Sequence, residues 1–314
     1  MIQTGELILL ISPEGKRYLR ALDPGHTFHT QEGVLTMDEV AQAGFGGVVR
    51  THKGMPFRVL RPTLYDCIMG LRRSTTIMYP KEIGYVLLKL GAGPGRRIVE
   101  AGSGSGGLTT ALAWMAGDSG RVYTCERRAE FSTRAKENLE RAGLSHRVDF
   151  FNLDIAEGFP EEARGADALF LDVREPWEYL KQAADIVCPG APIGFLLPTV
   201  NQIVDLLRGL ERSDFEDVEV LEILLRRYKP VVERLRPEDR MVAHTGFLVF
   251  ARHKGLEIVV EPAAAADTAE IAERPGKADG EPDEPGPSSE PGLRSLPEHP
   301  EESHDAHDAP EVLE

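Results

Sequence analysis

The sequence predicts an α/β fold in which a mostly parallel sheet carries helices on both faces. Between residues 96 and 210, short apolar segments typical of strands alternate with longer segments of helical periodicity. This alternation indicates strand–helix–strand units, whose crossover helices cover both faces of a sheet. A second observation is a glycine-rich turn, AGSGSGG at 101–107, directly after the first of these strands. Ligands of such sheets bind beyond the carboxyl ends of the strands, so this turn marks the expected site.

A small β-rich domain, residues 1–75, is expected before that sheet. Two hairpins, one short helix and a closing helix are predicted, with strands at 7–11, 16–22, 47–50 and 57–60 and helices at 36–43 and 62–73. Short apolar runs separated by turns that contain Gly, Pro or Asp favour hairpins over longer elements.

The main domain is expected to span residues 76–255. Its predicted strands are 96–101, 122–125, 148–153, 168–171, 193–197, 215–221 and 246–252, and its helices after the glycine turn are 108–116, 129–142, 177–187 and 200–210. A helix is also expected after Pro80, with Ile83, Val86 and Leu90 on its apolar face. The basic insertion at 222–245 predicts either a surface that contacts phosphates or a set of internal ion pairs.

Most of the net charge of −15 belongs to the last segment of the chain. Residues 256–314 contain 17 acids and 3 Lys or Arg, and they are rich in Pro, Gly and Ala. Such a segment cannot bury enough apolar surface to fold, so a disordered acidic tail is expected. The remaining 34 acids and 33 bases nearly balance, so charge does not exclude a nucleic-acid partner.

Composition also excludes several classes of protein. Cys67, Cys125 and Cys188 lie far apart and form no paired motif, so neither a disulfide framework nor a metal site is expected. The sequence contains no apolar run of about 18 residues and no signal-peptide pattern at its start. A cytoplasmic protein without a membrane span is the prediction.

The glycine turn admits two readings of its ligand. Gly102, Gly104 and Gly107 match the dinucleotide fingerprint, and Glu126 follows at the spacing of a ribose ligand. Glu100, just before the glycines, would contribute nothing to binding a pyrophosphate. A carboxylate there favours a cationic ligand such as S-adenosylmethionine, with its amino group and sulfonium. A methyltransferase is therefore preferred, and an NAD(P) oxidoreductase or a turn without a ligand stay as alternatives.

Four acids fall at the carboxyl ends of predicted strands: Glu100, Glu126, Asp154 and Asp172. Like charges on one rim repel, so the arrangement fits a site for hydroxyl and amino groups better than a stabilising role. Capping of the following helix is the alternative for Asp154 or Asp172 taken singly. Sheet position predicts that Glu126 accepts from the ribose hydroxyls and that Asp172 faces the substrate.

One acceptor and two packing positions follow from the same order of strands. Asp154 is expected to accept from the adenine amino group of the cofactor, while Ile155 packs on the adenine ring. Phe131, one turn into the next helix, is expected to cover the ribose or the adenine. Tyr79, before the helix that starts at Pro80, is either a core aromatic residue or the lid of a site.

Taken together, these segments resemble the tRNA (adenine-58-N1)-methyltransferases of bacteria and archaea, a class I family that uses S-adenosylmethionine. The resemblance runs from the N-terminus to about Lys254 and rests on LRPT (60–63), YPKE (79–82), EAGSGSGGLT (100–109), Asp154, DVREPW (172–177), PTVNQ (198–202) and RPEDRMVAHTGFLVFAR (236–252). It implies a Rossmann-like sheet whose last strand is antiparallel, tRNA as partner, and a homotetramer. The implied reaction is methylation of adenine N1 in the T-loop.

The resemblance also implies roles for individual residues. Cofactor-contacting positions correspond to Ser103, Gly104, Ser105, Gly106, Glu126, Phe131, Asp154 and Asp172, beside Glu100, Gly102 and Ile155 from the glycine and rim analysis. Positions near the target base correspond to Tyr79, Pro80, Lys81, Thr199, Gln202 and Thr245. Asp172 is the predicted catalytic group, since it would accept from the exocyclic amino group. A methyltransferase acting on a protein carboxylate or small molecule, and a non-catalytic tRNA-binding subunit, are the alternatives.

Overall fold

Antiparallel strands make up most of the N-terminal part, as the turn-rich sequence predicts. The computed structural model describes residues 2–73 and 76–255. Its first elements are β1 (Leu7–Ile11), β2 (Arg17–Ala21), β3 (Thr27–Thr30), β4 (Gly33–Thr36), α1 (Met37–Ala43), β5 (Val48–Arg50), β6 (Pro56–Leu60) and α2 (Leu64–Met69). Four strands form one sheet in the order β2-β1-β6-β5. Its inner face packs around Ile8, Leu10 and Phe57, which are fully buried.

Both predicted hairpin regions are confirmed, but the β3–β4 hairpin was not predicted. Phe28 and Leu35 pair across it and belong to the same core as β1. The turn depends on Gly33, whose φ of +123° is open to glycine and whose Cβ would lie 2.9 Å from Thr51. The helix expected at 62–73 is shorter, because a capping box of Thr63 and Asp66 starts α2 only at Leu64.

The main sheet contains seven strands among the described residues, in the order β12-β15-β11-β10-β7-β8-β9. The elements of residues 76–255 are α3 (Pro80–Lys89), β7 (Arg97–Ala101), α4 (Gly107–Ala116), β8 (Arg121–Cys125), α5 (Ala129–Arg141), β9 (Val148–Phe151), β10 (Ala168–Leu171), α6 (Leu180–Ile186), β11 (Pro192–Leu197), α7 (Val200–Leu210), β12 (Phe215–Leu221), β13 (Tyr228–Lys229), β14 (Arg236–Pro237) and β15 (Phe247–His253). The short strands β13 and β14 form a separate hairpin. Two apolar clusters cover the two faces of the main sheet. Every strand predicted for this sheet is present.

Strand order explains where the site lies. β7 pairs in parallel with β8 on one side and with β10 on the other. The strands that follow β7 are therefore added first on one side of it, as β8 and β9, and then on the other side, as β10. A crevice opens beyond the carboxyl ends of strands at such a switch point. The last strand, β15, is antiparallel to both of its neighbours and lies between β11 and β12. One edge of the sheet is therefore β12, although β15 comes later in the chain, and the other edge is β9.

The basic insertion is largely irregular and contains the small β13–β14 hairpin. Lys229 and Arg236 both pair with Asp239, which agrees with the ion-pair alternative. Arg226, Arg234 and Arg240 make no ion pair with any residue that the structure describes, so that alternative covers only part of the insertion.

Two expectations lie outside what these residues test. The acidic tail, 256–314, falls outside the described residues, and the division into domains at residues 75 and 255 stays a prediction. Over the described ranges, no helix is long and apolar enough to cross a membrane. Within those ranges, no group of His, Cys, Asp and Glu could hold a metal ion.

Candidate functional site

The glycine turn begins where β7 and β10 end side by side. Gly102 has a φ of +90°, and a Cβ built on it would lie 2.1 Å from the carbonyl oxygen of Asp172. The Asp172 N–H in turn donates to the carbonyl oxygen of Ala101, at 2.9 Å. Only glycine tolerates both the backbone conformation and this approach, so the turn holds the two strand ends together.

The rest of the turn is held from two sides. The Gly104 N–H donates to Oε2 of Glu126 at 3.1 Å, and the Ser105 carbonyl accepts from Nδ2 of Asn138 at 2.9 Å. Gly106 then starts α4 with a φ of +84°, packed against Ala135. The hydroxyl oxygen of Ser103 is buried and has no hydrogen-bond partner among the described residues. An unpaired buried hydroxyl is costly, so it marks a place where a ligand would restore a lost contact.

A cavity of about 360 Å³ opens beside this turn and is called here the acidic cavity. Its carboxylates are Glu126, Asp154, Asp172 and Glu175, and the remaining walls are Ala101, Gly102, Cys125, Arg127, Arg128, Leu153, Ile155, Val173, Arg174 and Tyr179. Oε1 of Glu126 accepts from the N–H of Arg128 at 3.1 Å. Asp154 uses one oxygen to accept from the Ala156 N–H, so the capping alternative applies to that oxygen.

Asp172 stands at the meeting point of several spaces. It lines the acidic cavity, a recess of about 30 Å³ under the glycine turn, and a cavity of about 190 Å³ on its other side. Asp172 is exposed to solvent through these openings. Desolvation, followed by the charges of Glu100 and Glu126, raises the pKa of Asp172 to about 7. Near neutral pH this carboxyl is therefore poised between its two protonation states.

Glu100 lies within β7 and is only 2% exposed. Its Oε2 accepts hydrogen bonds from the hydroxyls of Thr109 at 2.6 Å and Thr124 at 2.7 Å. Burial raises the pKa of Glu100 to about 7, with the negative charge of Glu126 adding to the rise and the two hydroxyls opposing it. Glu100 lines the 30 Å³ recess together with Ser103, and its contact with a cationic ligand stays a prediction.

The 190 Å³ space is called the junction cavity, and its polar walls include Asp172, Tyr79, Glu82 and Thr245. Tyr79 and Thr245 also line a cavity of about 240 Å³ beneath the insertion, the insertion cavity. The latter adds Tyr65, Met69, Pro80, Lys81, Leu225, Arg227, Glu238, Arg240, Met241 and Val242. Tyr79 is thus a wall of both openings and not a residue of the core.

Glu82 was not predicted as a site residue, yet it is a buried carboxylate in the junction cavity, 1% exposed. Its Oε1 accepts from Nζ of Lys81 and from the hydroxyl of Thr245. Lys81 Nζ also donates to the Ile223 carbonyl at 2.6 Å, and Oε2 of Glu82 has no partner among described residues. Glu82 lies in the first turn of α3, where an acid is usually an exposed charge that stabilises the helix end, so its burial was not evident from the sequence.

Comparison with known proteins identifies the family. The model of the family described as "tRNA methyltransferase complex GCD14 subunit" matches residues 57–236, more than half of the chain. The chain belongs to this family. The prediction of a methyltransferase is confirmed, and the alternative of an NAD(P) oxidoreductase is wrong.

Relatives and solved structures agree with this family. The chain is 36% identical over 245 residues to a tRNA (adenine(58)-N(1))-methyltransferase, TrmI, of Thermus thermophilus, covering 78% of this chain and 96% of the relative. It is 30% identical to a Methanocaldococcus jannaschii TrmI named for adenines 57 and 58, covering 78% and 94% of the two chains.

Two crystal structures of relatives have the same fold. TrmI from Aquifex aeolicus is 42% identical with a TM-score of 0.67, covering 80% of this chain and 98% of that one. A SAM-dependent O-methyltransferase from Thermotoga maritima is 39% identical with a TM-score of 0.75, covering 82% and 95%. The Rossmann-like class I methyltransferase fold is therefore confirmed.

Four family-implied positions, Gly106, Phe131, Thr199 and Gln202, lie outside the described cavities. Phe131 contacts the guanidinium of Arg128, 3.9 Å from its ring centre, and lines none of the cavities described above. Thr199 caps α7 by accepting from the Gln202 N–H and donates to its side-chain oxygen at 2.8 Å. Gln202 then donates to the Arg174 carbonyl at 3.0 Å. The structure gives Thr199 and Gln202 local roles in fixing this loop, and their contact with a base stays a prediction.

Proposed function

We propose that this chain transfers a methyl group from S-adenosylmethionine to N1 of adenine 58 in the T-loop of tRNA. The observation that carries the proposal is the position of Asp172, which lines the acidic cavity on one side and the junction cavity on the other. A methyl donor and a methyl acceptor in these two spaces would meet at one carboxylate. The names of the TrmI relatives support the choice of tRNA and of adenine.

The residues of the acidic cavity fit S-adenosylmethionine. Glu126 would accept from the ribose hydroxyls, and Asp154 with Ile155 would bind the adenine of the cofactor. Gly102 allows a close backbone approach, and the unpaired hydroxyl of Ser103 would gain a polar partner. When bound, S-adenosylmethionine supplies a methyl group on a sulfonium, which makes that carbon electrophilic. The carboxylates suit its cationic groups, whereas they would repel the pyrophosphate of a dinucleotide.

The acceptor needs positioning more than it needs a base. Adenine N1 carries a lone pair, so the chain does not have to remove a proton before attack. The base has to leave its stack to reach the junction cavity, where Tyr79 would contact its face. Asp172 in its ionised form would accept from the exocyclic amino group and offset the positive charge that develops on the ring. Holding N1 in line with the methyl carbon then supplies much of the rate.

A different acceptor is the second candidate, because the Thermotoga maritima structure is named an O-methyltransferase. The charge pattern of this chain favours tRNA, which is a polyanion, as the acceptor. The basic insertion carries arginines that make no ion pair with a described residue. A non-catalytic subunit is less favoured, since Glu100, Gly102, Asp154 and Asp172 are all present at the site.

The test uses the full chain, labelled S-adenosylmethionine and two unmodified tRNA transcripts. One transcript carries adenine 58, and its matched control carries guanine there. Nucleoside analysis is expected to find the label as 1-methyladenosine in the first transcript alone. Equal labelling of both transcripts would assign the activity to another position. Labelling of neither would favour the second candidate.

A further inference from the structure

Three of the described arginines that lack a carboxylate partner interact with one another through their charges. Many cations elsewhere are paired with carboxylates; examples are Arg17 with Asp66, Arg61 with Glu6, Arg121 with Asp149, Arg147 with Asp118 and Arg164 with Glu161. Arg20, Arg72 and Arg141 make no ion pair with any residue the structure describes. We call them the arginine cluster. They come from three elements, since Arg20 lies on β2, Arg72 follows α2, and Arg141 ends α5.

A buried asparagine joins the cluster to the glycine turn. Asn138 is 1% exposed, and its Oδ1 accepts from the Arg72 N–H at 3.0 Å and from Nη1 of Arg141 at 3.4 Å. Its Nδ2 donates to the carbonyl oxygens of Arg72 and Ser105, both at 2.9 Å. All the hydrogen-bonding groups of this one amide thus connect two arginines to the turn. The Arg72 backbone and the Arg141 side chain are therefore tied to the glycine turn through one amide.

The electrostatics of the cluster are unfavourable in the isolated chain. Burial lowers the pKa of Arg141, and the positive charges of Arg72 and Arg20 lower it further. The C-terminus of α5 stabilises a cation at Arg141 alone. It does not account for two more cations near it, one of which, Arg72, makes no side-chain hydrogen bond to a described residue. Grouped cations without counter-charges are what a polyanionic ligand requires, because each guanidinium can bind a phosphate through two N–H groups.

We propose that Arg20, Arg72 and Arg141 form a binding site for backbone phosphates of the RNA substrate, in which Asn138 ties the Arg72 backbone and the Arg141 side chain to the glycine turn. The inference rests on the proposed function for the identity of the RNA. Phosphate contacts determine register and orientation and carry no base information. The cluster would therefore set where the T-loop lies along the protein, while the junction cavity selects the base.

The experiment compares two double variants of the full chain with equal loss of charge. Arg20→Gln with Arg72→Gln removes two members of the cluster, and both side chains are exposed. Arg208→Gln with Arg212→Gln, in and just after α7, is the matched control. The dissociation constant for tRNA is measured over a series of salt concentrations, and that for S-adenosylhomocysteine at one.

The loss of Arg20 and Arg72 is expected to weaken tRNA binding roughly tenfold at low salt. It is also expected to reduce the slope of log affinity against log salt by about 2, since each lost phosphate contact reduces it by about 1. The control should change neither by more than about twofold, and affinity for S-adenosylhomocysteine should stay the same in both. A single Arg72→Glu variant, whose native side chain has no hydrogen bond or ion pair to a described residue to lose, should weaken tRNA binding as well.

Equal affinities and slopes for the cluster variant and the control would overturn the proposal. That result leaves the proposed function intact if the wild-type chain still methylates adenine 58. Conversely, tRNA binding that depends on the cluster without methylation of adenine 58 would support the site and reject the proposed function. Wild-type protein that does not bind tRNA would reject both.

Discussion

Replacing Glu100 by Gln tests whether the ionised carboxylate of Glu100 destabilises the folded chain. Glu100 is buried in β7, and burial raises its pKa from the ordinary 4.5 to about 7. Between these two values, the folded chain keeps the proton that the unfolded chain has already released. The free energy of unfolding must therefore fall as pH rises through this window and level off above pH 7. Gln does not ionise, and its side-chain oxygen can still accept from Thr109 and Thr124.

The size of the effect follows from the pKa. A difference between 4.5 and about 7 corresponds to about 3 kcal/mol at about 1.4 kcal/mol for each pKa unit. Glu100→Gln is thus expected to match the wild-type protein near pH 4.5 and to exceed its stability by about 3 kcal/mol at pH 8. Asp172 also loses a negative neighbour in this variant, which acts in the same direction.

Urea denaturation from pH 4.5 to pH 8 measures this difference, because titrating groups that do not interact with Glu100 contribute equally to both proteins and cancel. Glu216→Gln, an exposed position on the edge strand β12, is the control and should run parallel to the wild type. Stability curves of Glu100→Gln and wild type that stay parallel over the whole range would refute the buried ionisable role of Glu100.

Three other substitutions test neighbouring parts of the site. Asp172→Asn should reduce kcat about 10²-fold to 10³-fold with little change in S-adenosylhomocysteine affinity, and should remove the rise of kcat/KM with pH expected up to about pH 7. Gly102→Ala should lower the free energy of unfolding by about 2 kcal/mol or more and abolish cofactor binding in calorimetry, because its Cβ would lie 2.1 Å from a carbonyl oxygen. Glu82→Gln should cost about 3 kcal/mol in denaturant unfolding, since it leaves the buried Lys81 ammonium without its counter-charge.

Each of these has a matched comparison. A pH-independent wild-type kcat/KM would contradict the acceptor role of Asp172. Gly84→Ala lies in α3 with no atom near its Cβ and should be stabilising by about 0.5–1 kcal/mol, unlike Gly102→Ala. Adding Lys81→Met to Glu82→Gln should recover most of the loss. Additive costs instead would argue that the two side chains do not act as a pair.

The order of elements was readable from the sequence because the main sheet has a strong periodic pattern. Strands such as β10, with the four apolar residues 168–171, are buried on both faces and stand out as short apolar runs. The β3–β4 hairpin was missed because only Phe28 and Leu35 mark its apolar face in eight residues. The place of β15 between β11 and β12 was also not readable, since strand order depends on pairing between distant segments.

The site was predictable where one residue type at a strand end determines the geometry. Glu126 and Asp172 directly follow β8 and β10, so their shared cavity follows from parallel pairing. The burial of Glu82 was not predictable, because it depends on Thr245 of a distant segment reaching its carboxylate. The capping of α7 by Thr199 was predictable, because threonine directly before a helix is a common N-cap residue.

A crystal structure with bound S-adenosylhomocysteine tests the central claim most directly, namely that the carboxylates beyond β8, β9 and β10 bind the cofactor and direct it towards the acceptor. The account predicts the ribose hydroxyls on Glu126, the adenine beside Asp154 and Ile155, and the sulfur facing the junction cavity near Asp172. A ligand bound outside the acidic cavity, or a sulfur directed away from Asp172, would contradict it.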